Sequence, residues 1–258
     1  MIKILKILKI QKRYLKVIIG YFILIPRLFK INNSPKLIIL GMHRSGTSCI
    51  MRIFNLLGVS IGNNLISPQE DNPEGFWEDW YLVQINRQIL KNSKGSWDNP
   101  PEKIKLSLKN KLDILSFINN QDRSKIFGFK DPRMLLTWNA WKPFLKNYTI
   151  VSVFRHPSSV SQSLYVRNKI DNEYANYLWE IYNKKLIKIN ENENMIFINF
   201  DNNSSFERKI KKVSLSLGLN YDDKALNFYN PSNRNSDKIE EISNEINKKI
   251  YNQLLEFE

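Results

Sequence analysis

Short unbroken apolar runs alternate along this chain with longer stretches whose apolar positions recur every three or four residues. Leu37 to Leu40 is one such run, the pattern of a strand buried on both faces. Gly41 opens a turn after it. From Thr47 the positions Ile50, Ile53, Phe54 and Leu57 recur at helical spacing, and Gly58 is a stop. A polar loop over 62–74 leads to a helix over 77–90, with Tyr81, Ile85 and Leu90 facing in. Residues 100–119 read as an amphipathic surface helix carrying Ile104, Leu106, Leu108, Leu112 and Leu115 among lysines. A short strand over 126–130 ends at Asp131-Pro132-Arg133, because Pro132 cannot extend a ladder but suits a first helical turn. Trp138, Trp141 and Phe144 follow at three-residue spacing and are read as core. The run YTIVSVF over 148–154 is the second clear buried strand, and a helix from Pro157 carries Ser159, Ser163 and Tyr165. Tyr174, Tyr177, Leu178, Ile181, Tyr182 and Leu186 mark a further helix. A strand over 195–200 ends at Asp201, a helix over 206–217 stops at Gly218, and Ile239, Ile242, Ile246 and Ile250 line a C-terminal helix. Strands separated by helices in this order predict an α/β fold.

Length and charge refine that picture. A chain of 258 residues suits one substantial domain, placed at 35–258, behind a basic amphipathic segment at 1–34. The net charge of +14 is concentrated at the start: the first 30 residues hold eight Lys and Arg and no acid, leaving +6 for the other 228. Zinc-finger spacing, an RNP-type aromatic motif and a basic recognition helix are all missing, which argues against nucleic acid as a partner. Lysines every three residues in 1–16 oppose Ile4, Ile7, Leu8 and Leu15, and the apolar run 17–25 is too short to span a bilayer as a helix. That pattern suits peripheral contact of residues 1–30 with an anionic membrane; a helix packed on the domain is the alternative. One cysteine, Cys49, excludes an intrachain disulfide and fits the cytoplasm, with the inner membrane face as the membrane-leaning reading. Placed among apolar helix positions, Cys49 itself reads as a small packing residue.

The candidate chemistry gathers after the first strand. The turn contains His43, Arg44, Ser45 and Gly46, and the helix opens with Thr47 and Ser48. A strand, a Gly-bounded turn and a helix aim unpaired N–H groups and the positive helix end at one point, which makes an oxyanion cradle. The spacing GxxxxG followed by Thr47-Ser48 nearly matches the P-loop, GxxxxGK[ST], but Thr47 stands where the lysine belongs and Arg44 supplies the cation. With this motif the fold class becomes a P-loop nucleotide-hydrolase-like three-layer sandwich around a mostly parallel sheet. In such sheets ligands bind beyond the carboxyl ends of the strands, where Arg155 also sits.

GMHRSGTS near the start, paired with VFRHPSSVSQS in the middle, resembles the PAPS-dependent sulfotransferase superfamily. The segments NPEGFWE and KDPR resemble its bacterial branch, which many carbohydrate-modifying enzymes populate. The resemblance covers roughly Leu37 to Val166. It implies PAPS as co-substrate and a hydroxyl acceptor, here a carbohydrate or cell-surface glycan. It further implies that the cradle of His43, Arg44, Ser45, Gly46, Thr47 and Ser48 binds the 5′-phosphosulfate. Arg155 and Ser163, eight residues apart, match the 3′-phosphate pair. Arg234 in NPSNRNS is a candidate late-loop contact to the adenosine end.

On this reading Arg44 stabilises charge on the bridging and sulfuryl oxygens, and no metal is required. Glu78 is the first candidate for general base and Glu74 the second, since both lie in the loop beyond the cradle. Glu78 as a simple complement to a helix dipole is the plainer reading. Asp131 is read as orienting Arg133 or Lys130, and both histidines as structural. The rival is a nucleotide kinase or ATPase with residues 196–201 as its Walker B strand, against which Thr47 counts heavily. A non-enzymatic membrane scaffold using the basic N-terminus is the third reading.

Overall fold

The computed structural model describes residues 31–258 apart from 70, 71, 73, 203, 204 and 230–240. The N-terminal segment 1–30, Arg234 and Ile239 therefore lie outside the described residues.

Strand β1 (Lys36–Leu40) is buried along its whole length and sits inside a four-stranded sheet. Its neighbours are β2 (Phe127–Lys130) on one side and β3 (Tyr148–Phe154) on the other, with β4 (Met195–Asn199) outermost. All three pairings are parallel. The order β2-β1-β3-β4 makes the gap between β1 and β3 the point where the chain reverses its direction of winding, the usual ligand crevice of such sheets.

Alternation along the strands divides their side chains between two cores. Ile38 and Leu40 of β1, Phe127 and Phe129 of β2, and Ile150 and Phe154 of β3 join one. Leu37, Ile39, Val151 and Val153 join the other. On the first face lie α2 (Trp80–Asn92), α3 (Leu108–Asn119), α4 (Met134–Trp141), α5 (Pro157–Asn168), α6 (Asn172–Asn190) and α8 (Glu245–Glu256). On the second lie α1 (Thr47–Leu56), α7 (Phe206–Ser216) and a 3₁₀ turn (Asp223–Phe228). Helices on both faces of a parallel sheet are the expected three-layer sandwich, and they explain why the strands read as unbroken apolar runs.

Caps moved several helix boundaries. The helix expected over 77–90 begins at Trp80, because the Asp79 carboxylate accepts from the N–H groups of Tyr81 and Leu82 at 2.8 and 3.2 Å. This frame buries Leu82, Val83, Ile85, Ile89 and Leu90, and leaves Tyr81 exposed rather than inward. Glu78 thus precedes the helix and is not in its first turn. The helix expected from Pro100 begins at Leu108, where Ser107 and Asn110 form a reciprocal capping box. Residues 104–106 instead pack Ile104 and Leu106 against the core without helical structure. In α6 the inward face is Leu178, Tyr182 and Leu186, with Tyr174 and Tyr177 exposed. Asn244 caps α8 and turns Asn247, Ile250 and Leu254 inward, which leaves Ile246 exposed and Ile242 ahead of the helix.

The turn from β1 to α1 is the tightest passage. A Cβ on Gly41 would lie 2.5 Å from the Val153 carbonyl oxygen and 2.6 Å from Thr47 Cγ2. Only a bare backbone lets β1 hand over to the helix so close to β3. Arg44 and Gly46 both have left-handed backbones, with φ of 68° and 89°. A Cβ on Gly46 would lie 2.2 Å from a carbon of the Phe200 ring. Gly46→Ala is expected to cost about 1–3 kcal/mol through strain and overlap, lowering the melting temperature by several degrees. Adding Phe200→Leu should return the steric part and leave the backbone part; an unchanged melting temperature in Gly46→Ala would contradict this account.

Candidate active site

The residues that follow the four strands meet around one cavity of about 380 Å³. The β1–α1 turn supplies His43, Arg44, Gly46, Thr47 and Ser48; the end of β2 supplies Lys130, Pro132 and Arg133; β3 is followed by Arg155, and β4 by Phe200. Glu74 and Glu78 border it from the loop before α2, and Ser163 and Arg167 from α5. Among the described residues, six cationic side chains (Arg44, Arg87, Lys130, Arg133, Arg155 and Arg167) thus line the cavity against two carboxylates. Such a surplus attracts anions.

At its floor α1 starts from Gly46 with no side-chain cap and no acid in its first turn. Its first amides are the orphan donors of any helix start, and here they open on the cationic cavity. The Ser45 amide is not among them: it donates to the Met42 carbonyl at 3.3 Å, and the residue is buried away from the cavity lining. Thr47, at the position of the P-loop lysine, is buried at the cavity floor with its methyl carbon beside Gly41.

Arg44 and Ser163, expected at separate phosphates, touch: Arg44 Nε donates to Ser163 Oγ at 2.7 Å. Arg155 Nε donates to Asp201 Oδ1 at 2.9 Å, and its Nη1 reaches the Arg44 carbonyl at 3.4 Å. The second oxygen of Asp201 accepts from the His156 N–H at 2.8 Å. One carboxylate at the end of β4 therefore fixes both the guanidinium and the turn at the end of β3. His156 itself caps α5 and packs edge-on against Tyr251.

A second network surrounds Glu78. Lys130 Nζ donates to Glu78 Oε1 at 2.6 Å and to Ser48 Oγ at 2.9 Å. Arg133 Nη1 lies 3.9 Å from Glu78 Oε2 and donates to Asp131 Oδ1 at 2.9 Å. Asp131 Oδ2 accepts from Asn86, whose own carbonyl accepts from Thr137 and Trp141, each at 2.7 Å. Asp131 thus orients Arg133, as one of its two expected roles had it. Burial raises the Glu78 pKa and Lys130 opposes that rise. Glu74, by contrast, is exposed.

His43 borders the cavity, yet both its ring nitrogens are shielded and have no hydrogen-bond partner among the described residues. Its ring packs 4.4 Å from Trp97 and 5.9 Å from Tyr182. Burial pulls its pKa well down, and Arg133, Lys130, Arg167 and Arg44 reinforce that, so the imidazole is neutral.

The sequence reading passed over Lys130, Arg133, Asp201, Asn86, Arg87 and Arg167 as site residues. Lys130 and Asp201 each stand at the end of a strand, and Arg167 lies one helical turn past Ser163. Those positions were the available signals. Asn86, in the middle of a helix, carried none.

The sulfotransferase domain of the Synechococcus PCC 7002 olefin synthase aligns with a TM-score of 0.52 and 16% identity, over 88% of this chain and 96% of that domain. This is the sulfotransferase fold. Sulfotransferase STF1 from Mycobacterium tuberculosis H37Rv aligns at a TM-score of 0.44 and 12% identity, over 79% of this chain and 72% of STF1. No protein-family model matches the sequence, and neither does any curated protein. The fold is in line with the resemblance carried by GMHRSGTS and VFRHPSSVSQS.

Removing Lys130 leaves Glu78 buried without its nearest counter-charge, which costs about 3–5 kcal/mol for pairs of this kind. In Lys130→Met the Glu78 pKa should rise further above its ordinary value of 4.5. The folded state then holds a proton that the unfolded state has already released, so stability falls as pH rises through that window. The melting-temperature deficit of Lys130→Met relative to wild type is therefore expected to be largest near neutral pH and to shrink below about pH 5. A deficit independent of pH would show that Glu78 does not carry the cost.

Proposed function

We propose that the protein transfers the sulfuryl group of PAPS to an acceptor hydroxyl, releasing PAP, and that the acceptor is a carbohydrate such as a cell-surface glycan. The observation that carries the reading is the meeting of two anion-binding groups in one cationic cavity. The first is the uncapped start of α1 with Arg44, Thr47 and Ser48; the second is Arg155 with Ser163. A donor with a phosphosulfate at one end and a separate 3′-phosphate asks for two such groups.

The cavity also offers a nucleobase end. Trp77 and Phe228 line it with their rings edge to face at 6.4 Å, and the buried Trp77 Nε1 has no hydrogen-bond partner among the described residues. The start of α1 would hold the 5′-phosphosulfate, and Arg155 and Ser163 the 3′-phosphate. Arg44 would stabilise charge developing on the bridging and sulfuryl oxygens, a preorganised donor worth roughly 3–4 kcal/mol in comparable sites. Glu78 is the favoured proton acceptor, because it is buried at the cavity beside the cradle, whereas Glu74 is exposed. The carbohydrate acceptor rests on the resemblance to the bacterial branch.

The kinase reading lacks its central residue, since Thr47 stands where a lysine would reach the β- and γ-phosphates. Among the described residues no helix is long and apolar enough to cross a membrane. Peripheral contact through residues 1–30 remains a proposal about a segment outside the described residues.

PAP is expected to bind in calorimetry with EDTA present, and more tightly than Mg-ATP. Arg155→Ala should weaken PAP binding about 10–100-fold, the worth of a charge-assisted contact. Arg44→Ala should lower the rate of labelled-sulfate transfer from PAPS about 10²–10³-fold. Tight Mg-ATP binding without PAP binding would overturn the sulfuryl-transfer reading.

A further inference from the structure

One ammonium group serves two masters in this site. Lys130 Nζ is 2.6 Å from Glu78 Oε1 and 2.9 Å from Ser48 Oγ, and the Ser48 side chain belongs to the first turn of the anion-binding helix. The lysine and glutamate side chains are only 2% and 8% exposed, so the pair is nearly dry. Arg133 is only a weaker partner for Glu78, at the outer edge of ion-pair range. It stands 3.9 Å away and is held on Asp131 at 2.9 Å, with Asn86 fixing Asp131 from behind.

We propose that Lys130 is a positioning residue shared between Glu78 and the sulfuryl donor, and that donor binding draws its ammonium from the carboxylate to the anion in the cradle. The inference rests on the sulfotransferase reading, with Glu78 as proton acceptor. Before the donor arrives, Lys130 holds in check the rise in proton affinity that burial gives Glu78. An anion beside Ser48 offers the ammonium a second, stronger acceptor within reach of its flexible stem. Glu78 is then left as a buried carboxylate with little compensation, and its affinity for a proton rises. Its charged neighbours are Lys130 at the end of β2 and Asp131 and Arg133 in the turn after it. His43, Arg44, Glu74 and Arg87 border the same cavity.

The chemistry balances with the donor and acceptor alone. The acceptor O–H gives its proton to Glu78, and the acceptor oxygen forms a bond to sulfur. The bond from sulfur to the bridging oxygen breaks, and its electron pair leaves with PAP. Lys130, now on the donor, shares with Arg44 the charge that appears there. Nothing is oxidised or reduced. The base is thereby strongest only when the group it serves is in place, and donor binds before acceptor.

Proton linkage tests this directly. PAP is titrated into the full-length protein near about pH 6 in two buffers of different ionisation enthalpy, which counts the protons taken up on binding. Wild type is expected to take up a fraction of a proton more than Glu78→Gln. That excess should vanish in Lys130→Met, where Glu78 has already lost its partner. Lys130 also acts on His43 and on the bound phosphates, so each protein is compared with its own Glu78→Gln counterpart, Lys130→Met with the double variant, and contributions that do not involve Glu78 cancel within each pair. If Lys130→Met does not fold, Lys130→Met combined with Glu78→Gln removes both charges and provides the folded reference for PAP binding. Lys130→Arg, which keeps the charge, then takes the place of the single variant and should retain part of the excess.

The pH profile gives a second readout. In wild type the acid limb of kcat should lie at higher pH than that of kcat/KM for the donor, since the first reports the complex and the second the free enzyme. In Lys130→Met the two limbs should coincide. PAP binding with equal proton uptake in wild type and Glu78→Gln would overturn the proposal while leaving the sulfotransferase reading intact. Failure of wild type to bind PAP would overturn both.

Discussion

The start of α1 is the constraint on which the site depends. A helix that begins in the middle of a domain leaves donors that must be satisfied, and here neither a side-chain cap nor an acidic first turn answers them. The geometry allows little else in their place. Gly41 brings the turn against the Val153 carbonyl, Arg44 and Gly46 hold left-handed backbones, and the Phe200 ring closes over Gly46. Strain of about 1 kcal/mol or more at Arg44 persists only where surrounding structure enforces it. What the turn gains is a short row of amides facing a cavity at the edge where all four parallel strands end.

The charges around that row are arranged in pairs, and the pairing has a cost. Arg155 with Asp201, Arg133 with Asp131 and Lys130 with Glu78 are all nearly buried. Taking such pairs out of water roughly cancels their attraction, so packing apolar side chains there would stabilise the fold at least as well. Their value lies in placement. Asp201 and Asp131 hold Arg155 and Arg133 at the cavity wall before any ligand arrives, so those two guanidinium groups need little reorganisation to meet an anion. Asn86, Thr137 and Trp141 extend the same logic one layer deeper, by fixing Asp131.

The parts of this arrangement legible in the sequence were those encoded locally. The strands over 148–154 and from Leu37 were readable because burial on both faces leaves an unbroken apolar run. Arg44, Arg155 and Ser163 were readable because a turn after a strand and a fixed spacing are both linear signals. Helix starts were harder, since one capping oxygen on Asp79 or Ser107 outweighs several periodic apolar residues and rotates the inward face. That rotation is why Tyr81 lies outside and why Glu78 precedes its helix. The Arg44–Ser163 contact and the bridge from Ser48 through Lys130 to Glu78 join residues 119, 82 and 52 positions apart. Only the parallel order of the sheet brings them together.

Thr47 occupies the position at which a P-loop carries its lysine. In a P-loop the residue after the second glycine sends a lysine out over the phosphates, whereas here a short threonine, its methyl carbon beside Gly41, takes that place. The loop has not lost its cations; they reach it from elsewhere. Arg44 stands within the turn on a left-handed backbone, and Lys130 approaches from the neighbouring strand through Ser48. A lysine anchored in the loop would be committed to the anion alone. One anchored on β2 beside a buried carboxylate can answer to both, which links the state of the loop to the protonation of Glu78. Moving a positive charge by one strand in this way turns a binding residue into a coupling element.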